Sequence, residues 1–304
     1  MLGKGGVGKS TVSAALGLAS ARAGRRTLVV EVAGQQRLSR LFRAAEVGHE
    51  DPAELAPDLF GISIDAEQAT EEYLAGQLRL GPLVDMLTRS KAFHTFAAAA
   101  PGLPELVTVG KVWKLAVTLT EDGTAPVWDA LIVDCPATGH GIALLETAGN
   151  VEELAAGGPI KDQAARIQEV VSHPAATGIA LVARPEELPV TEAVEAAATL
   201  RALGLPVAAA VLNGVREERF SDADEPALGA LAERGEGPVR EAAIAGLRHL
   251  AYQRCDDMYR ERLAEGTGVP VLDLPELVRR RFDLDALEAL AGPIGVLTEH
   301  DPRT

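Results

Sequence analysis

Large aromatic side chains and cysteines are scarce in this chain of 304 residues. Phe, Trp and Tyr together make up 4% of the residues, whereas hydrophobic residues reach 47%. We therefore expect a globular core packed mainly from Ala, Leu and Val. The two cysteines, Cys135 and Cys255, lie far apart, and neither a C-x-x-C pair nor a paired-histidine spacing is present. The pattern argues against a zinc site.

Positive charge and long apolar runs are lacking as well. The formal net charge of −15 argues against a nucleic acid or an anionic membrane held by bulk electrostatics, although it leaves peripheral membrane contact through a local basic patch open. Without a run of 18 apolar residues, a membrane-spanning helix is not expected. The start lacks the charged and apolar regions of a secretory signal. These features favour a cytoplasmic protein.

A glycine-rich segment near the start matches the phosphate-binding P-loop and carries a second lysine after its first glycine. It reads Gly3-Lys4-Gly5-Gly6-Val7-Gly8-Lys9-Ser10-Thr11. Such glycines let the backbone amides and the N-terminus of the following helix point at a polyphosphate. We expect Lys9 to reach the β- and γ-phosphates, Ser10 to ligate Mg²⁺, and Thr11 to bond an α-phosphate oxygen.

Apolar, β-rich runs alternate with helical stretches along the chain. They are Thr27–Val32, Leu59–Ile64, Leu131–Asp134, Ile179–Ala183, Val207–Leu212 and Val269–Leu272. The alternation predicts an α/β fold with a doubly wound, mainly parallel sheet and helices on both faces. We expect one domain, 1–304, with helical insertions at about 66–120 and 151–172, and a polar loop followed by a long helix within 221–265.

The first strand of such a sheet is missing from the sequence. A P-loop normally follows a buried central strand, yet only Met1 and Leu2 precede Gly3. We expect these two residues to enter the loop directly, beside a gap between two parallel strands. The favoured hypothesis is that the natural polypeptide begins upstream of Met1; the alternative is that another segment fills the central slot.

A second motif begins with the third apolar run. Its sequence, from Leu131 to His140, is an apolar strand that ends in Asp134 and then turns. After a P-loop, such an acid holds the Mg²⁺ shell through water, and Gly139 is placed to offer an amide to the γ-phosphate.

Taken together, these segments resemble one family over nearly the whole chain, the deviant P-loop ATPases of the arsenite-pump catalytic subunit and of the targeting factor for tail-anchored membrane proteins. Besides the loop, the matching residues are Pro101-Gly102 with Glu105, Asp134, Thr138-Gly139-His140, Pro185-Glu186 with Leu188, Thr191-Glu192, Val211-Leu212-Asn213 and Leu274-Pro275-Glu276. The resemblance implies that Asn213 reads adenine and that the loop at Leu274 and Pro275 packs on the base. It also implies that Lys4 reaches a partner's phosphates across a nucleotide-bridged dimer.

The chain departs from this family where the catalytic aspartate belongs. By alignment that position is Ala33, which can neither orient a water nor accept its proton. Loss of such a group commonly lowers the rate ~10²–10⁴-fold. Glu31 and Gln35 are the only nearby polar candidates to take over this role. Glu31 is equally consistent with a strand-end acid near Mg²⁺, and Gln35 with a solvated turn. The cysteine clusters that bind zinc or arsenite in the family are absent.

We therefore predict an ATP- and Mg²⁺-dependent ATPase that acts as a dimeric switch, with an unidentified protein client. One alternative is a weak or inactive subunit that pairs with a catalytic paralogue and uses ATP to hold the two together. A second is a partition-type ATPase resembling the MinD and ParA group, although the charge of −15 disfavours the usual membrane or DNA surface of that group.

Overall fold

The computed structural model of the protein describes residues 1–32, 36–44, 46–77, 102–154 and 159–298. Within these ranges the strands form two sheets. The strands are β1 (Thr27–Val32), β2 (Ala53–Ala56), β3 (Leu59–Ile64), β4 (Ala130–Asp134), β5 (Ile179–Ala183), β6 (Val207–Val215) and β7 (Val271–Pro275). Their orders are β2-β3-β1-β4 and β5-β6-β7. All pairs are parallel except β2 with β3, which confirms the predicted mainly parallel α/β fold.

Helices follow most of these strands. They are α1 (Lys9–Arg22), α2 (Arg37–Phe42), α3 (Ala66–Gln77), α4 (Leu103–Val117), α5 (Thr138–Leu154), α6 (Pro159–Ser172), α7 (Glu187–Ala202), α8 (Glu225–Arg234), α9 (Gly237–Thr267) and α10 (Leu284–Ile294). Short 3₁₀ turns cover Asp222–Asp224 and Gly295–Thr298. In the part of the chain that the structure describes, no helix is both long enough and apolar enough to cross a membrane.

Two elements differ from the prediction. The stretch expected as a polar loop after residue 221 contains helix α8, which Pro226 opens in its first turn and Gly235 ends; Pro is tolerated there because the first turn needs no donor. Strand β2 was not predicted, because its four residues, Ala-Glu-Leu-Ala, favour a helix by intrinsic propensity and only pairing with β3 makes them extended. The single domain 1–304 stays a prediction, and residues 78–101 of the first helical insertion lie outside the described residues.

Residues 1–3 lie between the two sheets. The amide of Leu2 donates to the carbonyl oxygen of Ala180 at 2.9 Å, and the amide of Val182 donates to the carbonyl oxygen of Leu2 at 2.7 Å. On the other side, the amide of Cys135 donates to the Met1 carbonyl oxygen at 3.3 Å. Leu2 forms an isolated parallel bridge with Leu181 of β5, so Met1 and Leu2 lead into the loop from between β4 and β5. In the described part of the chain, β4 and β5 are therefore the edge strands of their sheets.

Helix α1 covers one face of the first sheet. Val29, Leu59 and Ile132 lie on this face and belong to one buried cluster with the apolar residues of α1. The helix approaches closely at Gly17, where an added Cβ would stand 2.6 Å from a Val29 methyl group. Helices α3 and α4 contribute to the cluster on the opposite face. The first sheet is thus packed between α1 on one face and α3 and α4 on the other.

Candidate functional site

The glycine-rich loop runs from β-type pairing at Leu2 directly into α1. Gly8 precedes the helix with φ of 94°, in the left-handed region that side chains other than glycine rarely adopt. A Cβ there would also collide with the amide nitrogen of Asn213. Gly3 is closed to a side chain as well, since a Cβ would overlap the Val182 carbonyl group. The loop conformation therefore depends on its glycines, as a phosphate-wrapping loop requires.

The side chain of Lys9 folds back over this loop. Its Nζ donates to the carbonyl oxygens of Gly3 at 2.8 Å and Lys4 at 3.0 Å, and the residue is buried. Burial lowers the pKa of this amine below its ordinary value, while the charge of Asp134 acts in the opposite direction. Two neutral carbonyl oxygens thus hold the Lys9 ammonium group at the mouth of the loop. An anion bound in the loop would be a stronger acceptor and would displace them.

Three polar residues form a row across the ends of three strands. Glu31 in β1 pairs in register with Ser63 in β3 and with Asp134 in β4, so their side chains share the face that α1 covers. All three are buried. Ser13 of α1 donates to Asp134 Oδ1 at 3.5 Å, and Ser10 begins the same helix. We call Glu31, Ser63 and Asp134 the polar row.

The two carboxyl groups of the polar row are poorly solvated. Burial raises the pKa of Glu31 above its ordinary value, and the Arg37 backbone amide partly offsets this by donating to Glu31 Oε1 at 2.9 Å. Glu31 Oε2 and the Ser63 hydroxyl have no hydrogen-bond partner among the described residues. Burial likewise raises the pKa of Asp134. Buried, under-satisfied oxygens at this edge suit a cation or a proton.

One residue of the site was missed by the sequence analysis. Arg37, the first residue of α2, is largely exposed, but its Nη1 donates to the buried Ser10 hydroxyl oxygen at 2.9 Å. Its charge also acts on Glu31, Asp134 and Lys9. No motif marked this arginine, because only the return of α2 toward the loop brings it there.

Lys4 has a partner within the same chain. Its Nζ forms an ion pair with Glu192 of α7, and each side chain is about one third exposed, 34% and 36%. A pair that exposed is worth about 0–1 kcal/mol. Lys4 is therefore held beside α7 by a contact that costs little to break.

The residues implied for base recognition lie at the ends of β6 and β7. Asn213 Nδ2 donates to the carbonyl oxygen of Val7 in the loop at 2.8 Å. Leu274, its register partner in β7, is fully buried in the same cluster as Val7. Pro275 is exposed. Asn213 and Pro275 are thus open to a ligand beside the loop, whereas the Leu274 side chain faces the core.

The segment after β4 also contacts the loop. The Thr138 amide donates to the Gly3 carbonyl oxygen at 3.1 Å. Gly139 follows in the first turn of α5 and is exposed, and its position at a helix N-terminus suits an anion. Ala33 and Gln35 lie outside the described residues, so their positions relative to the loop stay predictions.

Metal-ligating side chains are few at this site. Among the described residues, no group of three or more His, Cys, Asp or Glu side chains is arranged to hold a metal ion. Mg²⁺ does not need such a cage, because it is usually bound through one or two protein oxygens together with waters and substrate phosphates. The Ser10 hydroxyl and the Asp134 carboxylate supply oxygens of that kind.

Known proteins of similar sequence point to the same chemistry. The family model of the anion-transporting ATPases matches residues 1–156. The ATPase BagA of Mycobacterium tuberculosis is 36% identical over 215 residues, which span 69% of this chain and 63% of that protein. The arsenical pump-driving ATPase of Acidiphilium multivorum is 27% identical over 264 residues, 82% of this chain and 44% of that protein. A protein of the same name from Escherichia coli is 27% identical over 320 residues, 96% of this chain and 53% of that protein. The chain thus spans less than two thirds of the length of these relatives.

Proposed function

Because this chain belongs to the anion-transporting ATPase family, we propose that it binds ATP together with Mg²⁺ at the P-loop and hydrolyses it. The observation that carries this proposal is the meeting of the glycine-rich loop with the polar row at one edge of the sheet. Lys9 and Ser10 come from the loop, and Glu31 and Asp134 come from the strand ends. Phosphoryl transfer requires such a combination of anion-binding and metal-binding groups.

The loop is proposed to hold the phosphates. The amides of residues 5–8 and the N-terminus of α1 would face the anion, and Thr11 would bond an α-phosphate oxygen. Lys9 would exchange its carbonyl partners for the β- and γ-phosphates. Gly139 would add an amide near the γ-phosphate, so that the start of α5 responds to its presence.

The metal is proposed to lie between α1 and the polar row. The Ser10 hydroxyl would bind Mg²⁺ directly and Asp134 would hold its water shell. When bound, Mg²⁺ supplies charge neutralisation and alignment for the phosphate oxygens. Burial raises the pKa of Asp134, and Mg²⁺ at this position would stabilise its carboxylate form.

Adenine is proposed to lie against Asn213 and Pro275. Donation from Asn213 Nδ2 to the Val7 carbonyl oxygen fixes the orientation of the amide, which leaves Oδ1 as an acceptor and the second Nδ2 hydrogen as a donor. Adenine presents an exocyclic amino donor, whereas guanine presents a carbonyl acceptor at the equivalent position. An Oδ1 acceptor facing the exocyclic position would favour ATP over GTP, and the backbone around Leu274 would support the proline.

Hydrolysis is proposed to depend on Glu31, with Gln35 as the alternative group. Glu31 has an unpaired, buried carboxylate oxygen and a raised pKa, which are properties of a proton acceptor. The alanine at position 33 favours a second candidate function, a slow or inactive ATP-binding subunit that pairs with a catalytic paralogue. Turnover by the isolated chain separates the two.

The switch is proposed to be a cytoplasmic dimer closed by ATP, with Lys4 crossing to the partner's phosphates and a protein client responding to closure. We do not propose that this chain drives an arsenical pump, as the names of some relatives state for those proteins. Cys135 is buried, Cys255 is exposed, and the sequence holds no other cysteine, so the chain lacks a thiol cluster.

The decisive experiment is calorimetry of ATP binding in the presence of Mg²⁺. Lys9→Ala should abolish binding while the circular dichroism spectrum stays unchanged. Lys114→Ala, which removes an exposed lysine of α4, is the matched control and should bind as the parent does. Unchanged affinity in Lys9→Ala would remove the P-loop from the mechanism.

A further inference from the structure

A cation of the chain itself, the Arg37 guanidinium group, contacts the Ser10 hydroxyl. Arg37 Nη1 donates to Ser10 Oγ at 2.9 Å, and the Arg37 backbone amide donates to Glu31 Oε1 at the same distance. One residue therefore ties α2 to the first turn of α1 and to the polar row at once. The guanidinium group stands at the oxygen that the proposed function assigns to Mg²⁺.

The charged groups around Ser10 are of both signs. Glu31 and Asp134 contribute two carboxyl groups; Arg37 acts on both of them, and Lys9 and the N-terminal amine act on Asp134. A divalent ion placed at Ser10 Oγ would face the guanidinium at short range, where like charges repel strongly. Arg37 and a bound metal therefore compete for one position.

The chemistry of Arg37 suits a second task in the same place. A guanidinium group carries five donors in a rigid fork and binds phosphate oxygens in a bidentate manner. Among the described residues, the guanidinium group of Arg37 donates to one side-chain acceptor, the Ser10 hydroxyl, through Nη1. Because the Arg37 side chain is largely exposed, it can rotate from Ser10 toward an anion in the loop without disturbing the core.

We propose that Arg37 is the chain's own counter-cation at the metal position, and that it binds the nucleotide phosphates when Mg²⁺ is absent and yields to Mg²⁺ when the metal is supplied. The proposal deepens the nucleotide site and rests on that proposed function. According to this proposal, Arg37 provides much of the affinity of this chain for nucleotide without metal. The proposal also predicts that Arg37 weakens the binding of Mg²⁺.

The test is calorimetry with ADP, which is not hydrolysed, once with excess Mg²⁺ and once with EDTA. The parent should bind ADP under both conditions. In Arg37→Gln the affinity with EDTA should fall about 10–100-fold, the usual effect of losing a charge-assisted hydrogen bond. With Mg²⁺ the affinity should change less than about 3-fold, because the metal replaces the lost charge. The Mg²⁺ concentration that gives half of the metal-dependent change in ADP affinity should be lower in Arg37→Gln than in the parent.

Two further variants make the result specific. Arg37→Lys keeps the charge without the fork and should lie between the parent and Arg37→Gln with EDTA. Arg40→Gln removes an exposed arginine one turn further along α2 and should resemble the parent under both conditions. Thermal melting of each variant checks that α2 and the fold persist.

The remaining outcomes overturn one proposal or the other. Equal losses of affinity with EDTA and with Mg²⁺ would make Arg37 an ordinary phosphate contact or a structural residue, and the metal-replacement role would be refuted. Unchanged affinity under both conditions, or a parent that binds ADP only with Mg²⁺, would also refute it. A parent that fails to bind ADP or ATP under any condition would instead refute the proposed nucleotide site.

Discussion

Replacing Glu31 by Gln should raise the stability of the protein and lower its ATP turnover. Glu31 is 1% exposed; its Oε1 accepts from the Arg37 amide at 2.9 Å and its Oε2 has no partner in the described part of the chain. A glutamine keeps the first contact, removes the buried charge, and turns an amide donor toward the Ser63 hydroxyl. An unpaired buried polar atom costs about 1–3 kcal/mol.

We expect Glu31→Gln to gain about 1 kcal/mol in the free energy of unfolding at neutral pH, near the lower end of that range because Arg37 already offsets part of the charge. For a chain of this size the melting temperature should rise by about 2 °C. The assay is urea unfolding without nucleotide, followed by circular dichroism. Glu54→Gln, at an exposed residue of β2, is the matched control and should change stability by less than about 0.5 kcal/mol.

The gain should depend on pH with a definite sign. Because the pKa of Glu31 is raised in the folded state, the folded protein holds this proton more tightly than the unfolded chain does. Stability from this group is fully present below the unfolded pKa and is lost as pH rises through the higher folded pKa. Glu31→Gln should therefore exceed the parent most at neutral pH, and the difference should shrink as pH falls through the folded pKa.

Turnover supplies the second measurement on the same variant. If Glu31 accepts the proton of the attacking water, Glu31→Gln should lower kcat ~10²–10⁴-fold while ATP affinity stays nearly constant. A loss of stability in Glu31→Gln would show that the carboxylate is well paired and would refute the packing argument. Vigorous turnover that survives the substitution would place the proton acceptor elsewhere.

Four other changes have defined outcomes. Glu192→Gln should free Lys4, so that ATP-induced dimerisation measured by light scattering occurs at lower protein concentration; an unchanged concentration dependence would mean that their ion pair does not restrain Lys4. Lys4→Ala should still bind ATP but should fail to dimerise with it. Asn213→Ala should reduce the preference for ATP over GTP about tenfold or more in competition binding, and a parent that binds both nucleotides equally would contradict the assignment of the base. Leu2→Ala should cost about 2–5 kcal/mol of unfolding free energy, because Leu2 is 1% exposed between the two sheets; a loss below about 1 kcal/mol would show that this segment packs loosely.

Local patterns predicted the parts of the site that depend on local geometry. The glycine-rich loop specifies its own backbone, so the positions of Lys9 and Ser10 follow from the motif. The apolar run that ends in Asp134 predicted both the strand β4 and the place of its acid, because strand ends meet at one edge of a parallel sheet. Asn213 follows the same rule at the end of a strand, and it does contact the loop.

Other residues that contact the site come from distant or irregular parts of the chain, and no sequence motif marks them. Glu192 meets Lys4 only because α7 packs beside β5. Ser63 lies in the polar row because it pairs in register with Glu31. A serine within an apolar run does not by itself predict that pairing. Arg37 reaches Ser10 because α2 turns back toward α1, and the preceding residue, Gln36, adopts a positive φ of 52° that the sequence Gly-Gln-Gln-Arg does not predict. Each of these depends on tertiary structure rather than on local preference.

These tertiary contacts share one physical property that bears on the proposed switch. Lys4 is tied to Glu192, Lys9 to two carbonyl oxygens, and Arg37 to Ser10. Each of these three cations thus already has a partner within the chain, a carboxylate for Lys4 and neutral oxygens for Lys9 and Arg37, and a phosphate oxygen is a stronger acceptor than the neutral oxygens. A polyphosphate in the loop would draw Lys9 and Arg37 away from these partners, and closure on a second protomer would draw Lys4 away from Glu192. In the proposed switch, breaking these contacts would couple nucleotide binding to α2 and α7, which carry Arg37 and Glu192.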